Sequence, residues 1–514
     1  MTDQPTIDLL LRRAAAARDA GALADAGALY QLVLDIDPAH DDAVRQRVAI
    51  LNQLNRFDEA IAVLDAAWRA APANPAWPFG RGLMLASQQR HADAVAAFDD
   101  AIGLTPRDPA LHHARGVSLH ADHRYDAAIA AYDEAITLEP ANHDHFYRRA
   151  AARFAIGDFA GSLRDCDAAI ALRPDLPEPH IGRTAALRGM GRYDEALAAY
   201  DAAIAAREDF AEAWFGKAEL LLALGRFDEA WPLFEWRLYT SIFGANQRLF
   251  TRPFWDGTPL EGRTLLVHAE QGLGDSIQFY RFVARARALG SVTVLMPEKL
   301  SRLFIAQPDA PPIASEMREL PPFDVHCSML SLPYLLGHAR NAIDSEPYLR
   351  AEPAFTANRA TRLPVIPAPR IGIAWAGNPL HPNDRNRSMP LATMLSMFDP
   401  GLVIVSLQKD VPEADRVTPR ILDFSEAMTD FADTAAIISQ LDLVISVDSS
   451  VAHLAGAMGK PVWILLPFQA DWRWMLNRDD SPWYRSARLF RQTAPGGWEG
   501  VVKRVRQALR CWSS

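Results

Sequence analysis

The chain has 514 residues, 49% of them hydrophobic and 23% charged, the balance of a soluble protein long enough for roughly three domains. Its formal net charge of -10 and the absence of any basic tract argue against a nucleic-acid partner, because phosphate-backbone binding needs clustered Lys and Arg. Cys166, Cys327 and Cys511 lie far apart without CxxC spacing, which fits a reducing compartment and excludes a cysteine-based zinc site.

The N-terminus, MTDQPTIDLLLRRAAAARDA, carries acidic and polar residues where a signal peptide has a basic n-region and an apolar core. No uncharged apolar run reaches the roughly 18 residues of a membrane span, so a cytoplasmic location is expected.

Prolines then recur at Pro38, Pro72, Pro106, Pro140 and Pro174, each 34 residues after the last, and the next step falls on Glu208. The same period places Leu23, Phe57, Tyr125, Phe159, Tyr193 and Phe227, with His91 as the break. Three residues after these positions stand Ala26, Ala60, Ala94, Ala128, Ser162, Ala196 and Ala230. A small residue one turn from a large one lets two helices approach closely, as a stacked helix pair requires. The recurring acidic FDEA and YDEA segments read as helix N-terminal caps. His112, His113, His120, His123, His143 and His145 follow the repeat surfaces, and no Cys or carboxylate set completes a four-ligand site, so solvated or groove-lining histidines are expected there and no metal.

This half resembles the tetratricopeptide repeat, through GRYDEALAAYDAAI (Gly191 to Ile204) and the Pro that closes each unit, over about residues 7 to 240. Arg148, where other units have Gly80, Ala114, Gly182 and Gly216, and Glu208 in place of Pro depart from the pattern. The resemblance implies an α-solenoid of about seven helix pairs over residues 1–240, with a concave groove that holds an extended peptide or protein segment.

Residues 241–262, including GANQRLFTRPFWDGTPLEG from Gly244, are rich in Gly, Pro and aromatics and read as a linker. Strands and helices alternate after it: RTLLVHA is a strand, EQGLGDS a glycine-rich turn, IQFYRFVARARAL a helix, SVTVLMP a strand, and FDVHCSM around Val325 another strand. This first α/β unit covers residues 263–362. The Pro-rich LPVIPAP (Leu363 to Pro369) opens a second unit, 363–514, with strands in IGIAWAG, VIVSL, LDLVISV and PVWILLP. Two such units in tandem form a cleft at their sheet ends, where open α/β sheets bind ligands.

In the first unit Gly272 and Gly274 precede Asp275 at a strand-to-helix turn. Asp275 reads either as a helix N-cap or as a general base reaching into the cleft, the glycines letting a substrate approach the backbone. The second unit's loop AGNPLHPNDRNRS (Ala376 to Ser388) offers Asn378, Arg385, Arg387 and Ser388, as a solvated loop or as a clamp on phosphate oxygens. Gln408 and Lys409 follow the next strand at the same sheet edge, and TDFADTAAIISQL (Thr429 to Leu441) reads as a capped helix with Asp433 and Thr434 in its first turns.

The stretch from Leu441 to Pro467 is the most informative. Asp448, Ser449 and Ser450 fall where a buried strand becomes a helix, so amides and hydroxyls face one point at a positive helix end, a place suited to a diphosphate. An ordinary capped helix is the other reading. His453 stands one turn further on, and Gly456 and Gly459 thin the helix where it packs on the sheet. Finally, Trp472, Trp474, Trp483 and Tyr484 with Arg473 and Arg478 read as core or, for Trp472 and Arg473, as a platform for a bound donor.

The second half resembles the heptosyltransferase-like glycosyltransferases, family 9 and its relatives, through Gly274-Asp275, the D-[ST]-x-x-x-H pattern at Asp448, Ser449 and His453, and AGAMGKP after it. The whole chain is similar to bacterial proteins that fuse tetratricopeptide repeats to such a domain, including those that glycosylate flagellin. The resemblance implies a GT-B pair of Rossmann-like units, Asp275 as the base, and a nucleotide-sugar donor held by Asp448, Ser449, Ser450 and His453. Ser-Ser stands where the family pattern has Thr-Gly, which points to a donor other than ADP-heptose. The first unit, ending near Ala360, is shorter than in relatives that bind a glycan acceptor there, so a protein acceptor bound by the repeats is expected. The expected reaction is an inverting, metal-independent transfer without a cofactor. Two other readings stand beside it: a GT-B-type nucleotide-sugar epimerase, and a scaffold whose α/β half is catalytically degenerate.

Overall fold

The structure, a computed structural model, describes residues 4–241, 250–337, 343–353, 369–381, 383–399, 401–411, 415 and 421–512. Contacts divide the chain into two compact units, Met1–Asp209 and Phe210–Ser514. Residues 244–249 of the expected linker and 363–368 of the Pro-rich break lie outside the described residues.

The first unit is a run of helix pairs, from Gln4–Asp19 with Leu23–Ile36 to Pro177–Gly189 with Tyr193–Ala206. The small residues at the 34-residue period lie in its core: Ala26, Ala60, Ala94, Ala128 and Ala196 are fully buried. A Cβ on Gly82 would stand 2.4 Å from the Phe98 ring, and one on Gly116 2.7 Å from the Tyr132 ring, so these glycines seat the aromatic residue of the partner helix. Glu208 leaves its helix end unchanged. The Arg207 N–H still donates to Ala203 O, as the Arg173 N–H does to Ala169 O ahead of Pro174.

The acidic repeat segments act differently from the expected caps. Arg56, Arg192 and Arg226 occupy the N-cap positions without side-chain caps. Each forks onto the Glu three residues later (Glu59, Glu195, Glu229) at 2.6–2.7 Å, which keeps a carboxylate in the positive first turn. A further ladder has the same period: Arg81, Arg115, Arg149 and Arg183 pair with Asp65, Asp99, Asp133 and Asp167 on the preceding helix. His113 and His145 meet nitrogen to nitrogen at 2.9 Å, flanked by Asp144 and Glu139. Among the described residues no group of three His, Cys, Asp or Glu is placed to hold a metal ion.

The second unit begins with helices Ala211–Ala223 and Phe227–Phe234 and the 3-10 turn Glu235–Tyr239. Two parallel sheets follow. The first contains β1 (Thr264–His268), β2 (Ser291–Leu295), β3 (Ile313–Ala314) and β4 (Val325–Ser328) in the order β3-β2-β1-β4. The second contains β5 (Arg370–Ala374), β6 (Val403–Ser406), β7 (Ile421–Asp423), β8 (Leu443–Val447), β9 (Val462–Leu466) and β10 (Ala487–Arg491) in the order β10-β9-β8-β5-β6-β7. Every residue of β8 and β9 is buried, as strands covered on both faces must be, which is why both read as unbroken apolar runs. The expected helix over IQFYRFVARARAL is broken into Leu273–Phe279, a 3-10 turn Tyr280–Phe282 and Val283–Arg287.

Both sheets reverse their winding beside the first strand of each. In the first sheet the chain moves out from β1 to β2 and β3, then returns to β1's other side as β4; in the second it moves from β5 to β6 and β7, then returns beside β5 as β8. The connections leaving such a strand pair diverge and open a crevice at the carboxyl ends. The loop Ala269–Gly272 leaves β1 at that edge, and Asp448 leaves β8. Among the described residues no helix is long and apolar enough to cross a membrane.

Candidate active site

The helices Leu273–Phe279 and Ser450–Ala457 pack at their starts through Gly274. A Cβ on Gly274 would lie 2.8 Å from His453 Cδ2 and 3.5 Å from Ser450 Cα, so only glycine allows this approach. The sequence pattern that places Gly-Asp after β1 and Asp-Ser-Ser after β8 thus brings the two strand ends together.

Asp275 is not the N-cap. Gly272 is, and Asp275 sits three residues in, accepting the Gly272 N–H at 2.8 Å through Oδ2. Its Oδ1 forms an ion pair with Arg473 Nη2. Arg473 Nη1 lies 2.9 and 3.0 Å from the two oxygens of Asp471, so one guanidinium is shared by two carboxylates. Burial pushes Asp275 above the usual carboxylate range, and the charge of Arg473 only partly offsets it. Burial also works against the charge on Asp471, but there the Arg473 guanidinium prevails and holds it below that range.

Asp448, half-buried at the rim, is pushed up to about 6 by burial and then by the charge of Asp471. His453 is buried, donates to or accepts from the Tyr484 hydroxyl at 2.9 Å through Nδ1, and stacks on Trp474 with ring centres 5.0 Å apart. Burial and the neighbouring Arg473 lower it to about 3, so it is a neutral ring at physiological pH. Ser449 is the N-cap of its helix, and its hydroxyl meets Ser446 Oγ at 2.9 Å. Ser450 opens that helix and is half-buried.

The loop after β5 folds on itself. Ser388 Oγ accepts the Gly377 N–H at 2.9 Å and donates to Asp384, and Arg387 Nε reaches Asp384 at 3.3 Å. A Cβ on Gly377 would fall 2.5 Å from Arg387 Nη2, so that glycine seats the guanidinium, whose charge acts on both Asp448 and His453. Arg385 and Asn378 are exposed, and Asn378 holds the turn by accepting the Leu380 N–H at 3.0 Å. Gln408 is buried and accepts the Ala376 N–H at 3.2 Å.

Three expected donor contacts are engaged elsewhere. The Lys409 ammonium donates to the carbonyls of Met428 and Thr429. Asp433 pairs with Arg302 at 2.5 Å and accepts from Thr429, while the Thr434 hydroxyl donates to Asp430 O at 3.2 Å. Trp472 is buried among Trp231, Phe234, Phe279 and Trp483, with centroids 5.7–6.4 Å away, so it is core and no open platform. Arg473 is buried beside it, its guanidinium carbon 4.3 Å over the Trp472 ring.

Sequence reasoning passed over Asp471 and a buried ion pair under the glycine loop. Arg237 donates to both oxygens of Glu270 at 2.9–3.3 Å, to Ser331 Oγ at 2.7 Å and to Glu235 at 2.7 Å. The Asp that opens the DWRW segment was visible as a 3-10 N-cap beside a basic residue, but Arg237 and Glu270 give no local signal because they lie far apart in sequence.

Comparison with known proteins agrees with these two halves. Tetratricopeptide repeat models match residues 17–77, 51–109, 113–177 and 186–235, and the model of glycosyltransferase family 9 (heptosyltransferase) matches residues 426–465, which contain β8, Asp448 and His453. Protein FlbA of Caulobacter vibrioides is 26% identical over 313 residues, 54% of this chain and 52% of that protein, so the chain spans about half the length of this curated relative. Among solved structures, the MamA protein is 20% identical with a TM-score of 0.31, covering 32% of this chain and 90% of that one. A tetratricopeptide repeat protein from Parabacteroides merdae ATCC 43184 is 16% identical with a TM-score of 0.38, covering 48% and 94%. The chain is thus a tetratricopeptide-repeat array joined to a parallel-sheet α/β half that is similar, over its β8 corner, to the heptosyltransferases of glycosyltransferase family 9.

Proposed function

We propose that this protein is an inverting, metal-independent glycosyltransferase of GT-B type, taking a sugar from a nucleotide-sugar donor to a protein acceptor recruited by the repeats. The observation that carries the reading is the convergence of Asp275, Arg473, Asp471, Asp448 and His453 where Gly274 lets the two strand-end helices meet. In the proposed division of labour residues 1–240 recruit the acceptor, 263–362 form the acceptor side and 363–514 the donor side. Flagellin or another bacterial surface protein is the acceptor class the resemblance implies, and a cytoplasmic site of action follows from a nucleotide-sugar donor.

The acceptor hydroxyl attacks the anomeric carbon while Asp275 takes its proton, and the nucleoside diphosphate leaves. Charge on the leaving group is met by Arg473, Arg387 and the amides that open the helix Ser450–Ala457. Asp448 and neutral His453 then serve the sugar or ribose hydroxyls as hydrogen-bond partners. The donor set from the sequence narrows in this reading: Lys409, Asp433, Thr434 and Trp472 support the walls of the site, and Gln408, Ser388 and Asn378 shape its loop.

The scaffold reading draws on one observation: both oxygens of Asp275 are already bonded. The two readings separate on release of nucleoside diphosphate from a panel of ADP-, GDP- and UDP-sugars by the full chain. Release from one donor that falls about 10²–10⁴-fold in Asp275→Asn supports a transferase, since that is the range of a lost general base. Donor binding without release, even with the acceptor protein present, favours the scaffold.

A further inference from the structure

Arg473 has an unusual position for a side chain assigned to a donor. Its Nη1 is held by both oxygens of Asp471, its Nη2 by Asp275, and its buried Nε has no partner among the described residues. Asp275 in turn has the guanidinium on one oxygen and the Gly272 amide on the other. Both contacts stabilise the charged carboxylate and make it a weaker proton acceptor than burial alone would. A diphosphate entering beside three carboxylates needs that same guanidinium, because a fork of N–H donors is what phosphate oxygens bind best.

Building on the donor-site reading above, we infer that Arg473 couples donor binding to proton acceptance: the donor's diphosphate takes the Nη2 edge away from Asp275, while Asp471 keeps Nη1 in place. Asp275 is released only when the donor is bound. The acceptor oxygen then forms its bond to the anomeric carbon, the bond from that carbon to the diphosphate oxygen breaks, and the acceptor's proton passes to Asp275. The nucleoside diphosphate departs with the electron pair, its charge against Arg473. Asp471 is a positioning residue in this scheme, acting through Arg473 and never touching the sugar. With no donor present the base stays paired, which protects the site from proton chemistry before the donor arrives.

The test is calorimetric titration of the full chain with ADP, GDP and UDP. For the diphosphate that binds, Asp275→Asn removes the competitor for Nη2 and tightens binding by about 10-fold, whereas Asp471→Asn lets the guanidinium drift and weakens it by about 10-fold, the scale of one charge-assisted hydrogen bond. Both substitutions delete one negative charge, so a site governed by net charge alone tightens in both. That result overturns the inference, as does Asp275→Asn binding no tighter than the native protein. Asp275→Ser, which keeps an acceptor for the Gly272 N–H, serves if the Asn variant does not fold. If none of the three diphosphates binds the native protein, the donor reading fails and the inference with it; binding without the opposed shifts sinks the inference alone.

Discussion

Arg237 and Glu270, the first from the turn that ends the last repeat helix and the second from the loop that leaves β1, form a forked ion pair in which both side chains are 2% exposed or less. The glycine loop that carries Asp275 starts two residues after Glu270, so the repeat end and the candidate site share one buried anchor. The aromatic contacts of Trp231 with Phe279, 6.3 Å, and Trp472, 6.0 Å, extend the same junction.

Arg237→Met leaves the Glu270 charge buried without its guanidinium counter-ion. Removing one partner of such a pair costs about 3–5 kcal/mol, which in a unit of this size lowers Tm by roughly 10 °C. A thermal melt checks this, and a variant melting within 2–3 °C of the native protein, the scale of a lost surface contact of about 1 kcal/mol, contradicts it. The pair also has a pH signature. Burial works against the Glu270 charge, yet Arg237 outweighs it and holds the carboxyl below its ordinary value. Because the folded value is the lower one, the stabilisation is complete above the unfolded pKa of about 4.3 and is lost as pH falls through the folded value.

Gly274→Ala places a methyl 2.8 Å from His453 Cδ2, against a ring held by Tyr484 and Trp474. Overpacking of this kind costs about 1–3 kcal/mol. His453→Ala opens the space, so the double variant recovers most of the loss caused by Gly274→Ala on the His453→Ala background. Additive effects in a double-mutant cycle of melts would show that the two residues do not touch.

Asp448 tests the opposite sign. Burial and the charge of Asp471 raise it to about 6, above the unfolded value near 3.9. A raised folded value means that its contribution to stability is fully present below about pH 3.9 and is lost as pH rises through 6. Asp448→Asn removes that loss, so its Tm relative to the native protein is near zero below about pH 3.9, rises between about pH 4 and 6, and is largest at pH 8. A difference that does not grow with pH contradicts the assignment.

Much of this architecture was legible in the chain. The 34-residue period exposed the helix pairs because each unit repeats the same packing contact, and β8 and β9 stood out because strands buried on both faces have no polar interruption. The short edge strands β3, β7 and β10 escaped notice since two to five residues give little periodicity. The apolar run after Asp275 hid two helix breaks, because burial on several sides removes the helical stripe. At the candidate site, residue types near strand ends pointed to Asp275, Asp448, His453 and Arg473, but not to whom they face. Lys409 follows a strand and Asp433 lies in the first turn of its helix as their spacing implied, yet carbonyls and Arg302 claim them, and only tertiary neighbours decide that. Trp472 illustrates the same limit: aromatics beside an arginine read alike as core and as platform until Trp231 and Phe234 are seen to cover them.

The most direct test of the account is a thermal-shift titration of the full chain with a panel of nucleoside diphosphates and nucleotide sugars, run beside Asp448→Ala. The account predicts stabilisation by ligands of one nucleotide base, at saturating ligand about 2.7 kcal/mol for a hundredfold excess over Kd, and its loss in the variant. A panel that leaves the native Tm unmoved contradicts it.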